Sequence, residues 1–237
     1  MRSGAHVIRF VLIAVLVVSV GPSGQTAENW QGAIGFQFGF PTGEYKDQID
    51  NTAVGIGGDI LWSPHGAPIG IGISLGWFQV GSETRKEPFS TTIPDVTVDV
   101  ETENGLAQFM ALLRLQPKRG DVRPYADALV GWNYLYTRTT IRNASNNEEV
   151  ASSTNLDDNA LAYGFGGGAM IKIYDSHKKG GKRFLVLLDL NFRYTIGADA
   201  EYLKEGSIRR ENGTVVFDIT ESETSIAEGR VGIAFNF

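Results

Sequence analysis

Apolar side chains recur at every second position through most of the sequence after residue 29, and this period limits the fold more than any other feature. Between Trp30 and Phe40, the large apolar residues share one face, and glutamine, alanine and glycine share the other. Such alternation predicts a β-strand with one apolar face. The pattern returns seven times, near residues 54–62, 69–77, 106–115, 126–136, 161–173, 184–194 and 227–237. We therefore predict an all-β chain built from eight strands.

The N-terminal segment has the features of an export signal. A positively charged start leads into the eleven-residue apolar core Phe10–Val20, and small or helix-breaking residues follow as far as Ala27. This core is too short to span a bilayer as a helix. We predict that residues 1–27 are a signal peptide and that residues 28–237 form a single barrel domain. An uncleaved anchor is the alternative.

Composition excludes several classes of protein. The sequence contains no cysteine, which rules out a disulfide framework, a thiol nucleophile and a lipidated N-terminal cysteine. The formal net charge is -6, whereas a nucleic-acid binder needs a basic face. We therefore expect no nucleic-acid partner.

Long and short connections alternate between the predicted strands. The long polar connections are residues 41–52, 81–104, 137–160 and 195–224, and the short ones are residues 63–68, 116–124 and 175–183. Together the long connections hold 20 acidic and 8 basic residues. Long outer loops and short periplasmic turns are typical of transmembrane barrels. We predict an eight-stranded antiparallel up-and-down transmembrane β-barrel with long acidic extracellular loops and both termini in the periplasm.

Charged residues inside the predicted strands all fall on the face opposite the large apolar side chains. They are Asp59, Arg114, Asp127, Lys172, Asp189, Arg193, Glu228 and Arg230. A charge facing lipid at mid-depth costs about 2–4 kcal/mol, so these residues are predicted to face the lumen. Four acids and four bases in so narrow a lumen suggest salt bridges that plug it and fix strand register. The alternative is a narrow or gated pore that has these residues as its constriction.

A soluble barrel or sandwich would also show alternation, with the apolar face turned inward. The polar face of this sequence is rich in glycine, for example at Gly55, Gly57 and Gly72, where a soluble surface would favour charged residues or threonine. This distribution favours the membrane barrel.

The sequence resembles the OmpA/OmpX-like outer-membrane β-barrel superfamily along its whole mature length. The segments that resemble the superfamily include Phe40–Tyr45, Arg123–Tyr125 and Leu188–Tyr194. The last residues, VGIAFNF, are similar to the C-terminal assembly signal of such proteins, with Val231, Ile233, Phe235 and Phe237 at alternate positions. The resemblance implies outer-membrane lipid and the barrel-assembly machinery as partners, and the cell outer membrane as the location.

The sequence offers little chemistry beyond this architecture. After the signal, histidine occurs only at His65 and His177, both in predicted periplasmic turns and away from the outer rim. We therefore expect no enzyme, no cofactor and no metal site. The predicted role is structural or surface-interacting, through the acidic loops and an extracellular partner. The alternative is a narrow pore or channel for small solutes or hydrophobic molecules.

Overall fold

The computed structural model describes residues 29–49, 51–64, 67–90, 93–143, 148–176, 184–211 and 214–236. The predicted signal, residues 1–27, lies outside this part of the chain. The described elements are β1 (Trp30–Pro41), α1 (Glu44–Gln48), β2 (Ala53–Trp62), β3 (Ile69–Ser90), β4 (Ile93–Leu115), β5 (Val122–Asn143), β6 (Glu149–Ser176), β7 (Phe184–Gly197), β8 (Asp199–Glu211), β9 (Thr214–Glu223) and β10 (Ile226–Asn236).

Eight of these strands close into one antiparallel barrel, in the order β1-β10-β7-β6-β5-β4-β3-β2. Each strand pairs with its neighbours in sequence, apart from the inserted hairpin of β8 and β9. The ring closes where β1 pairs with β10, from Gln31 opposite Asn236 to Pro41 opposite Ile226. The prediction of an eight-stranded up-and-down barrel is confirmed.

The barrel is apolar outside and polar inside, which is the arrangement of a transmembrane barrel. Exterior side chains such as Phe36, Phe165 and Phe192 are 60–71% exposed, whereas lumen-facing Asp59 is 1% exposed. A soluble barrel would have the opposite arrangement, so that alternative is wrong. Within the described residues, no helix is both long and apolar enough to cross a membrane.

Glycines on the lumen side allow the ring to close tightly. A Cβ added at Gly55 would lie 1.8 Å from the carbonyl oxygen of Trp77, and one at Gly72 would lie 1.9 Å from that of Ile60. Real Cβ atoms do not approach a carbonyl so closely. Neighbouring strands therefore cross these positions at a spacing that only glycine permits, as expected of a sharply coiled small barrel.

Strands β3 to β6 continue far beyond the rest of the ring. The pairing of β3 with β2 ends at Gln79, and the pairing of β6 with β7 ends at Ala162. Beyond these points the four strands pair only among themselves, with β4 and β5 in register as far as Val98 opposite Asn143. We name these extensions the projecting sheet.

The sequence predicted loops at residues 81–104 and 137–160, and that prediction is wrong because most of both segments is strand. Both faces of the projecting sheet carry polar residues, such as Thr102 opposite Thr139, so a search for apolar alternation does not detect its strands. The predicted loop 195–224 is also largely β-structure, because β8 and β9 form a hairpin.

Candidate functional site: the lumen and its outer cap

Asp59 on β2 lies at the centre of a buried ionic network in the lumen. Its Oδ2 accepts hydrogen bonds from Nη2 of Arg114 and Nη2 of Arg193, each at 2.9 Å. Its Oδ1 accepts from Nη1 of Arg230 at 3.0 Å and from Oγ of Ser74 at 2.7 Å. One carboxylate therefore joins guanidinium groups from three other strands.

Two further carboxylates complete the network. Arg114 binds Asp127 with Nε at 2.7 Å and Nη2 at 2.8 Å, a fork geometry, and Nη2 of Arg193 binds the same carboxylate at 2.8 Å. Arg230 reaches Oδ2 of Asp189 at 3.0 Å. Three acids and three bases thus form ion pairs with almost no exposure to solvent, which satisfies the requirement that buried charges be paired.

Tyr125 packs against the network on the side nearer the chain termini. Its hydroxyl donates to Oδ1 of Asp189 at 2.6 Å and accepts from Nδ2 of Asn191 at 2.9 Å. The guanidinium carbon of Arg114 lies 4.0 Å from the centre of its ring, which is within cation–π range. The tyrosine therefore fills the space beside the ionic network and also orients Arg114 and Asp189.

Six of the eight charged residues expected in the lumen meet in this network, and two do not. Lys172 has the inward phase but lies at the end of the barrel that holds the chain termini, where its ammonium pairs with Asp121 of the turn. Glu228 is 3% exposed and lies in the lumen, yet its Oε1 accepts from uncharged groups, Nε2 of Gln108 at 2.7 Å and Oγ1 of Thr195 at 3.0 Å.

On the side of the network nearer the chain termini, the lumen is filled by a small apolar cluster and a set of amides. The cluster contains Ala33, Tyr125, Met170, Leu185, Leu187 and Ala234. Nε2 of Gln31 donates to Oδ1 of Asn236 at 2.9 Å, and Nε2 of Gln116 donates to Oε1 of Gln31 at 3.1 Å. These contacts tie β1 and β10 to the residue that directly follows β4.

The end of the lumen away from the two chain termini is closed by an apolar cap that sequence reasoning missed. Tyr45 from α1 and Tyr202 from β8 meet edge to face, with ring centres 5.4 Å apart. Both rings are buried, and they lie on apolar side chains that point inward from the barrel strands. The whole cluster is Tyr45, Ile49, Ala53, Phe78, Val80, Leu106, Leu135, Ala160, Ala200, Tyr202 and Ile226.

Polar contacts hold the cap in place. The Tyr202 hydroxyl shares a 2.8 Å hydrogen bond with Oγ of Ser222 across the hairpin, and the backbone N–H of Glu201 donates to Oδ2 of Asp158 at 2.9 Å. Burial raises the pKa of Tyr45 above its ordinary value of 10.0, and the proximity of Tyr202 adds to this effect. The phenol therefore stays neutral in an apolar setting.

One signal in the sequence could have revealed the cap. Ala200 and Tyr202 alternate with acidic residues, and Phe217 and Ile219 alternate with polar ones, which is a short strand pattern within an otherwise polar segment. Tyr45 gives no comparable signal, because its neighbours in α1 are polar and only its tertiary position makes it buried.

The residues of the predicted assembly signal lie at the end of β10. Val231 and Ile233 point outward and are 50% and 41% exposed, and Phe235 stacks on Phe184 with ring centres 5.9 Å apart. Phe237 lies outside the described residues, as do His65 and His177. In the described part of the chain, no three histidine, aspartate or glutamate side chains are grouped to hold a metal ion.

No protein-family model matches the sequence, and no curated protein matches it. Several solved structures are similar in shape. Ail of Yersinia pestis, crystallised with the heparin analogue sucrose octasulfate, is 11% identical, with a TM-score of 0.40 over 90% of this chain and 100% of that one. Neisserial surface protein A is 10% identical, with a TM-score of 0.38 over 90% and 98%. A major outer membrane protein of Thermus thermophilus is 9% identical, with a TM-score of 0.39 over 88% and 99%.

Proposed function

We propose that this chain is an integral outer-membrane barrel that displays the projecting sheet to a partner outside the cell. The N-terminal signal would direct export, the C-terminal residues would be read by the barrel-assembly machinery, and outer-membrane lipid would surround the exterior. Both termini would face the periplasm. The role is one of surface interaction, without catalysis or a cofactor.

The projecting sheet is the observation that carries this proposal. The described part of β6 is 28 residues long and that of β4 is 23, whereas a tilted strand crosses a bilayer with about 9–11 residues. The surplus backbone is ordered in paired strands on one side of the mouth. An ordered surface of this size exceeds what closing the barrel requires, and it supports a role in recognition.

Charge favours a basic partner. The four connections that form the outer end hold 20 acidic and 8 basic residues. On one face of the projecting sheet, acids and bases also alternate across strands, with Nε of Arg142 donating to Oε2 of Glu101 at 3.1 Å. Complementary potentials raise the rate of encounter between partners, so a partner with net positive charge would be captured fastest.

Retention of vesicles on immobilised macromolecules tests the surface role. A stump variant joins Ser82 to Glu103 and Arg138 to Thr154, each through Asn-Gly, because these residues already face one another across their strand pairs. Outer-membrane vesicles that carry the native chain should be retained on cationic members of a panel of proteins and glycans, and vesicles with the stump variant should not. Equal retention, or retention on heparin alone, would refute the proposal.

The lumen contents support a closed barrel, because an ionic network and an apolar cap lie in series along it. We expect the mature protein to show no stepwise conductance in a planar bilayer. An Arg193→Ala/Arg230→Ala variant should also stay closed, since the cap remains, and conductance should appear only when residues 199–223 are deleted as well. Steady channels in the native protein would favour the pore.

A further inference from the structure

The hairpin of β8 and β9 has one face in the cap and one face turned away from it. Tyr202 and Ser222 belong to the first face, where both are buried and share a hydrogen bond. Successive side chains of a strand alternate between its faces, so every second residue of β9 lies on the other side. These residues are exposed, and they are Phe217, Ile219, Glu221 and Glu223. We name this set the hairpin face.

Half of the hairpin face is apolar. Phe217 is 44% exposed and Ile219 is 50% exposed, and the adjoining Val216 is 39% exposed. Because β9 belongs to the cap and not to the closed barrel, lipid around the barrel wall does not account for these side chains. An exposed apolar patch with a polar border is typical of a surface that binds a partner.

The other half of the hairpin face carries negative charge that the hairpin does not balance. Glu221 lies directly opposite Glu201, and Glu223 lies directly opposite Asp199, so two pairs of like charges face each other across the strands. Such pairs destabilise a sheet. No described base forms an ion pair with any of these four carboxylates. A cationic neighbour would therefore relieve this repulsion.

The backbone of β9 is open along one edge. Within the described chain β9 pairs with β8 alone, and α1 approaches it without a backbone hydrogen bond to it. An open edge is a template for another strand, and proteins often protect such edges with lysine or proline. The sequence of β9, TVVFDITESE, contains neither. By contrast, β3 carries Arg85, Lys86 and Pro88 beyond Gln79, where its pairing with β2 ends.

We propose that the open edge of β9 captures a basic, extended segment of another protein by strand addition. The added strand lies antiparallel to β9 and widens the hairpin to three strands, with main-chain hydrogen bonds supplying affinity. Its side chains at alternate positions supply specificity, since apolar groups lie beside Phe217 and Ile219 and lysine or arginine lies beside Glu221 and Glu223. This site goes beyond the proposed function, because it does not use the projecting sheet.

Charge complementarity identifies the occupant. β9 contains three acids, Asp218, Glu221 and Glu223, and no base. A second copy of this chain that paired through its own β9 would bring the same three acids against them, and like charges across strands are unfavourable. A basic segment removes the repulsion and also covers the exposed apolar side chains. The occupant is therefore a cationic partner and not another copy of the barrel.

Binding of synthetic peptides to the mature protein, folded in detergent micelles, tests the proposal. The peptide Lys-Thr-Lys-Thr-Val-Thr-Val has the order that antiparallel addition requires, with its valines beside the apolar half of the hairpin face. The control Lys-Thr-Val-Thr-Lys-Thr-Val has the same composition and charge, but it cannot match the hairpin face in either direction. Fluorescence anisotropy should show that the first peptide binds at least about fivefold more tightly.

Methylation of alternate backbone nitrogens separates strand addition from charge attraction. In an added strand, one set of N–H groups points to β9 and the other set points to solvent. Methyl groups on the first set should abolish binding, and methyl groups on the second set should preserve it. Equal effects of the two methylation patterns, equal affinity for the two peptide orders, or no binding at about 1 mM peptide would each overturn the proposal.

Variants of the protein locate the site. Glu221→Gln/Glu223→Gln should weaken binding of the first peptide about fivefold to tenfold, because two ion pairs are lost. Asp121→Asn/Asp175→Asn is the matched control, since it removes two charges at the end of the barrel that holds the chain termini, and there the dissociation constant should change less than about twofold. Equal losses in both variants would overturn the site. If the first variant does not fold, the methylated peptides on the native protein decide.

The stump variant separates this inference from the proposed function. It lacks the open edges of the projecting sheet and keeps β9, so it should bind the first peptide as the native chain does. Loss of peptide binding in the stump variant would place the site on the projecting sheet and overturn the inference, while the proposed surface role would stand. Peptide binding that persists, together with vesicle retention that does not depend on the projecting sheet, would refute the proposed function alone.

Discussion

Asp59 shows how much of the interior depends on a single carboxylate. It receives hydrogen bonds from Arg114, Arg193 and Arg230, and it is 1% exposed. Breaking a buried ion pair by removing one partner leaves a charge that neither water nor protein compensates. The three arginines come from β4, β7 and β10, so Asp59 links strands that are not neighbours in the ring.

Replacing this hub should be costly. We expect Asp59→Asn to destabilise the folded barrel by about 3–5 kcal/mol, because three guanidinium groups would then share two carboxylates. Unfolding by urea in micelles measures the loss. Asp121→Asn provides the comparison, since that residue pairs with Lys172 at the exposed rim, and there the cost should stay within about 1 kcal/mol. Equal losses at both sites would contradict the central role of Asp59.

Tyr45 makes the cap sensitive to alkali. Burial raises its pKa, so the folded state holds the phenolic proton more tightly than the unfolded state does. The stabilisation is complete below the unfolded pKa of about 10 and is lost progressively as the pH rises above it. Protease cleavage between residues 199 and 223 should therefore accelerate above about pH 10. Tyr45→Phe should reduce this alkaline acceleration, although burial also raises the pKa of Tyr202, and an unchanged profile would refute the assignment.

Residue patterns predicted faces better than partners. Large apolar residues such as Phe36 and Phe192 lie on the exterior, and Asp59 lies buried on the opposite face. Which charges meet depends on the stagger of strands around the ring, and the sequence does not contain that information in readable form. Glu228 therefore joins uncharged groups, although the balance of acids and bases suggested salt bridges.

At the scale of the elements, glycine positions control how closely strands approach. Gly55 on β2 faces the backbone of β3, and a Cβ there would meet the carbonyl oxygen of Trp77 at 1.8 Å. Gly229 on β10 has no heavy atom within 4 Å of the same constructed position. Two glycines in strands of one barrel thus differ completely in what they permit.

This difference gives a paired prediction. We expect Gly55→Ala to cost about 1–3 kcal/mol, because the strand must shift to relieve the overlap with Trp77. Gly229→Ala should change stability by less than about 0.5 kcal/mol. Urea midpoints of the two variants, measured side by side in micelles, check the contrast. Similar midpoints would show that the ring can widen at β2 without penalty.

The elements that the sequence hid are those without apolar alternation. In the projecting sheet, Thr102 lies opposite Thr139 and Glu103 lies opposite Arg138, so both faces are polar and period two leaves no trace. The sequence did not predict the cap for a different reason. Tyr202 is buried only because the hairpin of β8 and β9 folds back over the mouth, and such a long-range contact has no local signature.

The described chain forms a closed ring, a cap over one mouth, and the projecting sheet, whose strand pairs do not close the ring. The ring is sealed by the pairing of β1 with β10, whereas the projecting sheet begins where β2 and β7 stop pairing. The ring and the projecting sheet share strands β3 to β6, but the pairing that closes the barrel lies in the ring alone. Membrane insertion should therefore depend on the ring alone.

The stump variant tests this division as well. It should insert into outer membranes and run as a compact band in unheated detergent gels, shifting on boiling as the native chain does. Its urea midpoint should remain within about 0.5 M of the native value, since no ring contact is removed. Failure of the stump variant to insert would show that the projecting sheet takes part in assembly.

The continuity of β4 and β5 has a mechanical consequence. From Leu115 opposite Ala126 to Val98 opposite Asn143, the two strands form one uninterrupted ladder that joins the tip of the projecting sheet to the opposite rim of the barrel. A partner that pulls on the tip therefore loads many hydrogen bonds at once and in shear, rather than peeling them one by one. In the proposed membrane setting, tension would pass along the strands into the ring, and the surrounding lipid would resist detachment.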